Sequence, residues 1–275
     1  MTVPLSPPSR IGFVGLGSQG GPMAERIAKA GYPLAVWARR REALDPFVAI
    51  GATAAPSVSA LGAACDLVGV CVVDDIGVAA ICDDLIPAMQ PGSLLVIHST
   101  ILPESCERLA QRCAQRGIGF LDAPVSGGGP GAAAGTLTVM CGGDAEAFAR
   151  ATPVFRTFCG TLVHLGPAGS GQRAKIVNNA LMAANMGLAH AAIAAGEALG
   201  IERSALGELI KASSGRSYGA EIYVRLPTPQ AFAIGAPLLV KDIRLLASVL
   251  PDHAGATTLR DAASAFLAAA TGQDI

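Results

Sequence analysis

Lys175 and Asn179 stand four residues apart in the stretch Gly169-Ser-Gly-Gln-Arg-Ala-Lys-Ile-Val-Asn-Asn179. On a helix that spacing places both side chains on one face, about 5–6 Å apart. No charged residue occurs between Lys175 and Glu197, so an amine at the head of such a helix has little water around it. Desolvation disfavours the ammonium and draws its pKa toward neutrality, where an amine can pass a proton. The equally weighted alternative is a lysine that carries its charge out to solvent along its alkyl stem. A second group lies in Asp122-Ala-Pro-Val-Ser-Gly-Gly128. Ser126 offers a hydroxyl, and Gly127 and Gly128 offer exposed N–H groups, a cradle suited to a carboxylate. The third is Gly15-Leu16-Gly17-Ser18-Gln19-Gly20, between the apolar run Ile11–Val14 and a helix-forming run from Pro22. Gly15 permits a tight turn, Gly17 lets backbone approach a pyrophosphate, and Gly20 lets helix and strand pack closely. The helix N-terminus beyond it favours phosphate charge.

Farther along, the run Val36-Trp-Ala-Arg-Arg-Arg41 ends a second apolar segment. An acidic residue here would hold a ribose 2′-hydroxyl; arginines suit a 2′-phosphate instead. Arg39 and Arg40 therefore favour NADP over NAD, with NAD as the alternative. Lys241-Asp242 reads as the opening of another helix and, by itself, as a surface ion pair of small worth. His98 and His164 read as hydrogen-bonded structural groups. The four histidines share no metal-site spacing, and the seven cysteines contain no C-x-x-C pair, so no metal is expected.

These residues need elements to position them. Apolar runs at 11–14, 34–37, 67–72, 93–97, 118–121, 136–141 and 161–165 read as strands, alternating with helical stretches such as 20–31, 40–50 and 103–116. Such alternation predicts a parallel sheet with helices on both faces. After Gly166-Pro-Ala-Gly-Ser-Gly171 no strand pattern recurs and alanine-rich helices run on. The expected architecture is α/β: an N-terminal doubly wound Rossmann domain over 1–168, then an all-α domain over 169–275, joined by a long helix. The uncharged stretch 175–197 is long enough to span a bilayer. Asn178, Asn179, Asn185 and His190 interrupt it, so a helix covered by protein is the better reading.

Composition closes off other classes. The chain is 51% hydrophobic and 15% charged, with a formal net charge of -1. That excludes a disordered chain and leaves no electrostatic footprint for nucleic acid or an anionic membrane. An odd number of cysteines without a secretory pattern fits reduced thiols in the cytoplasm. Residues 1–9 read as a loose proline-rich leader, not a signal peptide.

Taken in order, these segments resemble the β-hydroxyacid dehydrogenase family, the group of 3-hydroxyisobutyrate dehydrogenase and tartronate semialdehyde reductase. The likeness runs through Gly15–Ala24, Ser99-Thr-Ile-Leu-Pro103, Asp122–Gly128, Gly135-Thr-Leu137, Gly169–Asn179 and Lys241-Asp242. It implies an oxidoreductase that interconverts a small β-hydroxy acid and its aldehyde or keto acid. Lys175 would be the catalytic lysine and Asn179 would fix the substrate's pose. Ser126, Gly127 and Gly128 would hold the substrate carboxylate. Thr100, Lys241 and the loop carrying Val72 and Val73 would line the cofactor. Three positions depart from the family's habit: Gln19 for methionine, His98 for an acid, and Tyr218 for a tryptophan that would border the substrate. The resemblance also implies a homodimer or homotetramer. Imine reduction on the same fold, or a catalytically silent nucleotide sensor, are the competing readings.

Overall fold

The computed structural model describes residues 8–273; the expected leader over 1–9 lies outside them apart from Pro8 and Ser9. Among the described residues the N-terminal part runs β1 (Ile11–Val14), α1 (Gly20–Lys29), β2 (Leu34–Trp37), α2 (Asp45–Ala49), β3 (Thr53–Ala54), α3 (Val58–Ala64), β4 (Leu67–Val70), α4 (Asp75–Ala88), β5 (Leu94–Ile97), α5 (Pro103–Ala114), β6 (Gly119–Asp122), β7 (Val125–Ser126), α6 (Gly128–Ala134), β8 (Leu137–Gly143), α7 (Ala145–Phe155) and β9 (Cys159–His164). The rest is α8 (Ser170–Ala198), α9 (Arg203–Ala212), α10 (Tyr218–Arg225), α11 (Ala236–Val249) and α12 (Ala254–Thr271). The chain divides inside α8 into two compact units, one ending at Lys175 and one starting at Ile176.

In the first unit the strands are ordered β3-β2-β1-β4-β5-β6-β8-β7, with β9 paired to β8. β1, β4 and β5 are buried at every residue, as continuous apolar runs must be when helices cover both sheet faces. Ile11, Phe13, Val36 and Val96 pack on one side with Met23 and Ile27 of α1 and Phe155 of α7. Val14, Val68, Val70 and Ile97 pack on the other with Leu61, Leu85 and Cys106 of α3, α4 and α5. Strands β1 to β6 are parallel. The expected parallel sheet is extended beyond them by a mixed edge: β8 runs antiparallel to β6 and β7, and β9 pairs parallel with β8. The seven-residue α6 between β7 and β8 is too short for a crossover, so the chain folds back beside its own strand. The helix expected over 40–50 is instead a 3₁₀ turn at Arg41–Ala43 followed by the short α2.

The order 3-2-1-4-5-6 is the doubly wound arrangement. It reverses between β1 and β4, where ligands bind beyond the strands' carboxyl ends.

The regular elements among the second unit's described residues are all helices. Its core gathers Met186 and Ile193 of α8, Tyr223 of α10, Leu239 and Ile243 of α11, and Phe266 of α12. A Cβ on Gly187 would fall 1.8 Å from the Ala262 carbonyl oxygen, so α8 and α12 touch backbone to backbone there.

Candidate active site

The turn after β1 sits at the sheet's reversal. Gly15 has φ +95°, and a Cβ on it would lie 2.1 Å from the Cys71 carbonyl oxygen in the turn after β4. A Cβ on Gly20 would lie 2.0 Å from the Gly15 oxygen, so α1 can start only this close to the strand if the position is glycine. At Gly17 an added Cβ would meet nothing within 4 Å. The fingerprint's first and third glycines are thus filled by protein, and the second faces open space that a phosphate can approach. No side chain caps α1 and no acid sits in its first turn, which leaves the positive end of its dipole to a ligand. These features fit a dinucleotide. Leu16, Ser18 and Gln19 are carried on the same turn. Arg39 and Arg40 are exposed just past β2.

Beyond β4, the Val72 N–H donates to Ser99 Oγ at 2.8 Å, which ties this turn to the one after β5 that carries Thr100. Val73 is exposed beside it. Burial pushes the Cys71 thiol up to about 12, so it stays protonated in this turn.

Ser126 ends β7, opposite Thr138 of β8. Gly127 and Gly128 follow with φ +124° and +62°, two successive left-handed steps that side chains resist. They turn the chain into α6 with backbone N–H groups exposed. Gly129 brings this turn onto the dinucleotide turn, since a Cβ there would lie 2.6 Å from the Ser18 carbonyl oxygen.

The head of α8 is fixed from the sheet. Asp122, at the end of β6 and fully buried, accepts the Gly169 N–H at 2.7 Å and the Gln172 N–H at 2.8 Å. Its carboxylate caps a helix forty-odd residues away in sequence. Burial pushes its pKa above the usual carboxylate value, against the pull of those N–H groups. Lys175 follows one turn later and is only 8% exposed.

In the second unit, Asn179 Nδ2 donates to Asp242 Oδ2 at 2.5 Å. Asp242 is 3% exposed and lies in the middle of α11. Its Oδ1 accepts no hydrogen bond among the described residues and faces Lys241 Nζ at 3.5 Å. The reading of Lys241-Asp242 as a surface pair opening a helix is therefore corrected. One residue of advance along α11 turns the carboxylate to the core and leaves the lysine at the rim.

The comparisons decide the family. Residues 10–166 match the NAD binding domain of 6-phosphogluconate dehydrogenase, and residues 169–274 match the NAD-binding domain of NADP-dependent 3-hydroxyisobutyrate dehydrogenase. The NAD-dependent L-serine dehydrogenase of Pseudomonas aeruginosa is 38% identical over 270 residues, covering 91% of this chain and 88% of that protein. The chain belongs to the β-hydroxyacid dehydrogenase family. A solved 3-hydroxyisobutyrate dehydrogenase of Mycobacterium tuberculosis with L-serine superposes with a TM-score of 0.84 at 29% identity, covering 94% of this chain and 92% of that one. An imine reductase from Pseudomonas sp. shares the fold at 20% identity, a TM-score of 0.61, and coverage of 96% and 92%.

As a β-hydroxyacid dehydrogenase the chain is a nicotinamide-dependent enzyme acting on CH–OH groups. The glycine turn, Val72, Thr100, Ser126 and Lys175 belong to the first unit. Asn179, Tyr218 and Lys241 belong to the second. Tyr218, the first residue of α10, is 67% exposed. His98 is buried at the end of β5, where its Nδ1 meets the Ala123 carbonyl oxygen at 2.8 Å and its ring stacks on Phe13. His164 Nε2 meets the Gly143 oxygen at 2.8 Å. Three residues escaped the sequence reading as contributors to the site's frame: Asp122 as a remote cap, Gln172, and Asp242. For Asp242 the signal was present, because a heptad count from Leu239, Ile243 and Leu246 puts position 242 on the covered face.

Proposed function

We propose that this dehydrogenase interconverts a small β-hydroxy acid and its aldehyde or keto acid with NADP(H), Lys175 handling the proton. The observation that carries the reading is the burial of Lys175 on a helix whose head the Rossmann sheet itself holds. When bound, the nicotinamide supplies hydride transfer. Gly15, Leu16, Gly17, Ser18, Gln19 and Gly20 would hold its pyrophosphate end, with Val72, Val73, Thr100 and Lys241 along its length. Arg39 and Arg40 would take a 2′-phosphate. Ser126, Gly127 and Gly128 bind the carboxylate by hydroxyl and N–H donation. Lys175 Nζ gives a proton to the substrate oxygen in reduction and removes it in oxidation. Asn179, its amide fixed by Asp242, hydrogen-bonds the substrate, and Tyr218 borders it. L-serine and 3-hydroxyisobutyrate, the compounds named for its relatives, are the first substrates to try.

The test is the Lys175→Ala variant, assayed with both acids and both cofactors. Turnover should fall about 10³-fold or more, the scale of losing a positioned proton donor, while NADPH binding followed by fluorescence persists. Near wild-type kinetics would remove the lysine from the mechanism. NADPH should bind more tightly than NADH, and a reversed preference would unseat Arg39 and Arg40 from the 2′-phosphate. A cyclic imine consumed faster than either acid would favour the imine-reductase reading, and NADPH binding without turnover of any carbonyl acid the sensor reading.

Two wider statements belong to the same reading. The chain works in the cytoplasm, a compartment suited to its unpaired thiols; no described helix is long and apolar enough to cross a membrane. It assembles as a homodimer or homotetramer through the helical unit.

A further inference from the structure

Gln172 is wholly buried in the first turn of α8, and its amide is used at both ends. Nε2 donates to the Ser99 carbonyl oxygen at 2.8 Å, and Oε1 accepts the Ile101 N–H at 3.1 Å. The two bonds bracket Thr100. Ser99 is itself tied to the next turn by the Val72 N–H on its hydroxyl. One primary amide thus joins α8 to the turns after β4 and β5, three residues before Lys175. Positions three apart are neighbours on a helix surface.

Asp122 fixes the same helix differently. It grips the N–H groups of Gly169 and Gln172 at the helix end, which sets where α8 begins. The Gln172 side chain reaches sideways from the axis, and its planar donor–acceptor pair fits the C=O and N–H that Ser99 and Ile101 present. Glutamate lacks the donor and leucine lacks both groups.

We propose that Gln172 is a positioning residue for catalysis: it sets the rotation of α8 against the Thr100 turn and thereby holds Lys175 in reach of the substrate oxygen. The proposal rests on Lys175 as the proton-handling group. A side chain that merely filled the core would be replaceable by leucine of similar bulk; one that positions the lysine would not.

The test compares Gln172→Leu and Gln172→Glu in the full-length enzyme, well below each variant's unfolding transition. Two readouts are taken: steady-state kinetics with L-serine or 3-hydroxyisobutyrate at saturating cofactor, and the rate of reductive methylation of Lys175 in the cofactor-free protein, read by peptide mass spectrometry. Misplacement by about 1 Å can cost up to about 100-fold in rate. Both variants should lose about tenfold or more in kcat with KM changed less than about threefold, and Lys175 should be methylated several-fold faster. A variant with kcat within twofold of wild type, or a kcat loss with Lys175 methylation unchanged, overturns the proposal. Should leucine prevent folding, glutamate keeps the acceptor for Ile101 and decides alone. Full activity of Lys175→Ala would sink the lysine reading, whereas the methylation rates report the role of Gln172 on helix placement separately.

Discussion

At the scale of single residues, the chain buries two bases: Lys175, to which we assign the proton, and His98, packed in the core. His98 is enclosed by Phe13, Phe155 and Phe158, and burial holds its pKa down to about 4. Its imidazole is therefore neutral in the folded protein at physiological pH, and its ring N–H donates to the Ala123 oxygen. The unfolded chain takes up a proton near the ordinary histidine value of about 6.5, so stability is lost as pH falls from that value toward 4. The full difference is about 3 kcal/mol. Denaturation of wild type and His98→Phe at pH 7.5 and pH 4.5 should show a smaller acid loss in the variant, by about 2 kcal/mol. Equal losses would mean that other groups carry the acid sensitivity. The resemblance implies an acid at this position, and the three phenyl rings around it have no use for a carboxylate.

At the scale of elements, turns decide the site more than strands do. Gly129 presses the Ser126–Gly128 turn on the dinucleotide turn, where an added Cβ would lie 2.6 Å from the Ser18 oxygen. Gly129→Ala should separate them, costing about 1–3 kcal/mol of stability and raising KM for cofactor and hydroxy acid together. A thermal melt beside a two-substrate kinetic matrix checks this; a rise confined to one substrate would show that the turns act independently. The elements themselves were legible in the sequence where burial is two-sided. Ile11–Val14 and Leu94–Ile97 are unbroken apolar runs, and the runs survive as strands. β3 and β7 were not, because two residues carry no periodicity, and β7 is a strand only by virtue of β8. The antiparallel return of β8 also left no local mark. Glycine spacing disclosed the dinucleotide turn, and the run without charge after Lys175 disclosed the long helix α8. Gln172 and Asp122 were opaque for a different reason: their partners lie 47 to 73 residues away in sequence, and only the fold names them.

At the scale of the whole molecule, α8 shows a face that the helical unit does not cover. Val177, Leu181 and Leu188 are 48, 50 and 59% exposed, at spacings of four and seven that keep them on one side of the helix. An apolar stripe of this kind, on the stretch of α8 that carries no charge between Lys175 and Glu197, is what a second copy would cover. The double variant Leu181→Asp/Leu188→Asp should therefore elute as a monomer, with light scattering reporting half or a quarter of the wild-type mass. A wild type that is already monomeric would end the assembly proposal without touching the chemistry.

The helix that carries the lysine takes its starting point from a borrowed carboxylate, since Asp122 belongs to strand β6. A clone that began at Ser170 would leave that cap behind. The leading amides would turn to water and the first coil would fray, so the helical half expressed alone would present its amine in surroundings unlike those of the intact enzyme. A cut at the boundary of the two compact parts, after Lys175, would instead keep Asp122 with the amides it caps and interrupt α8 itself.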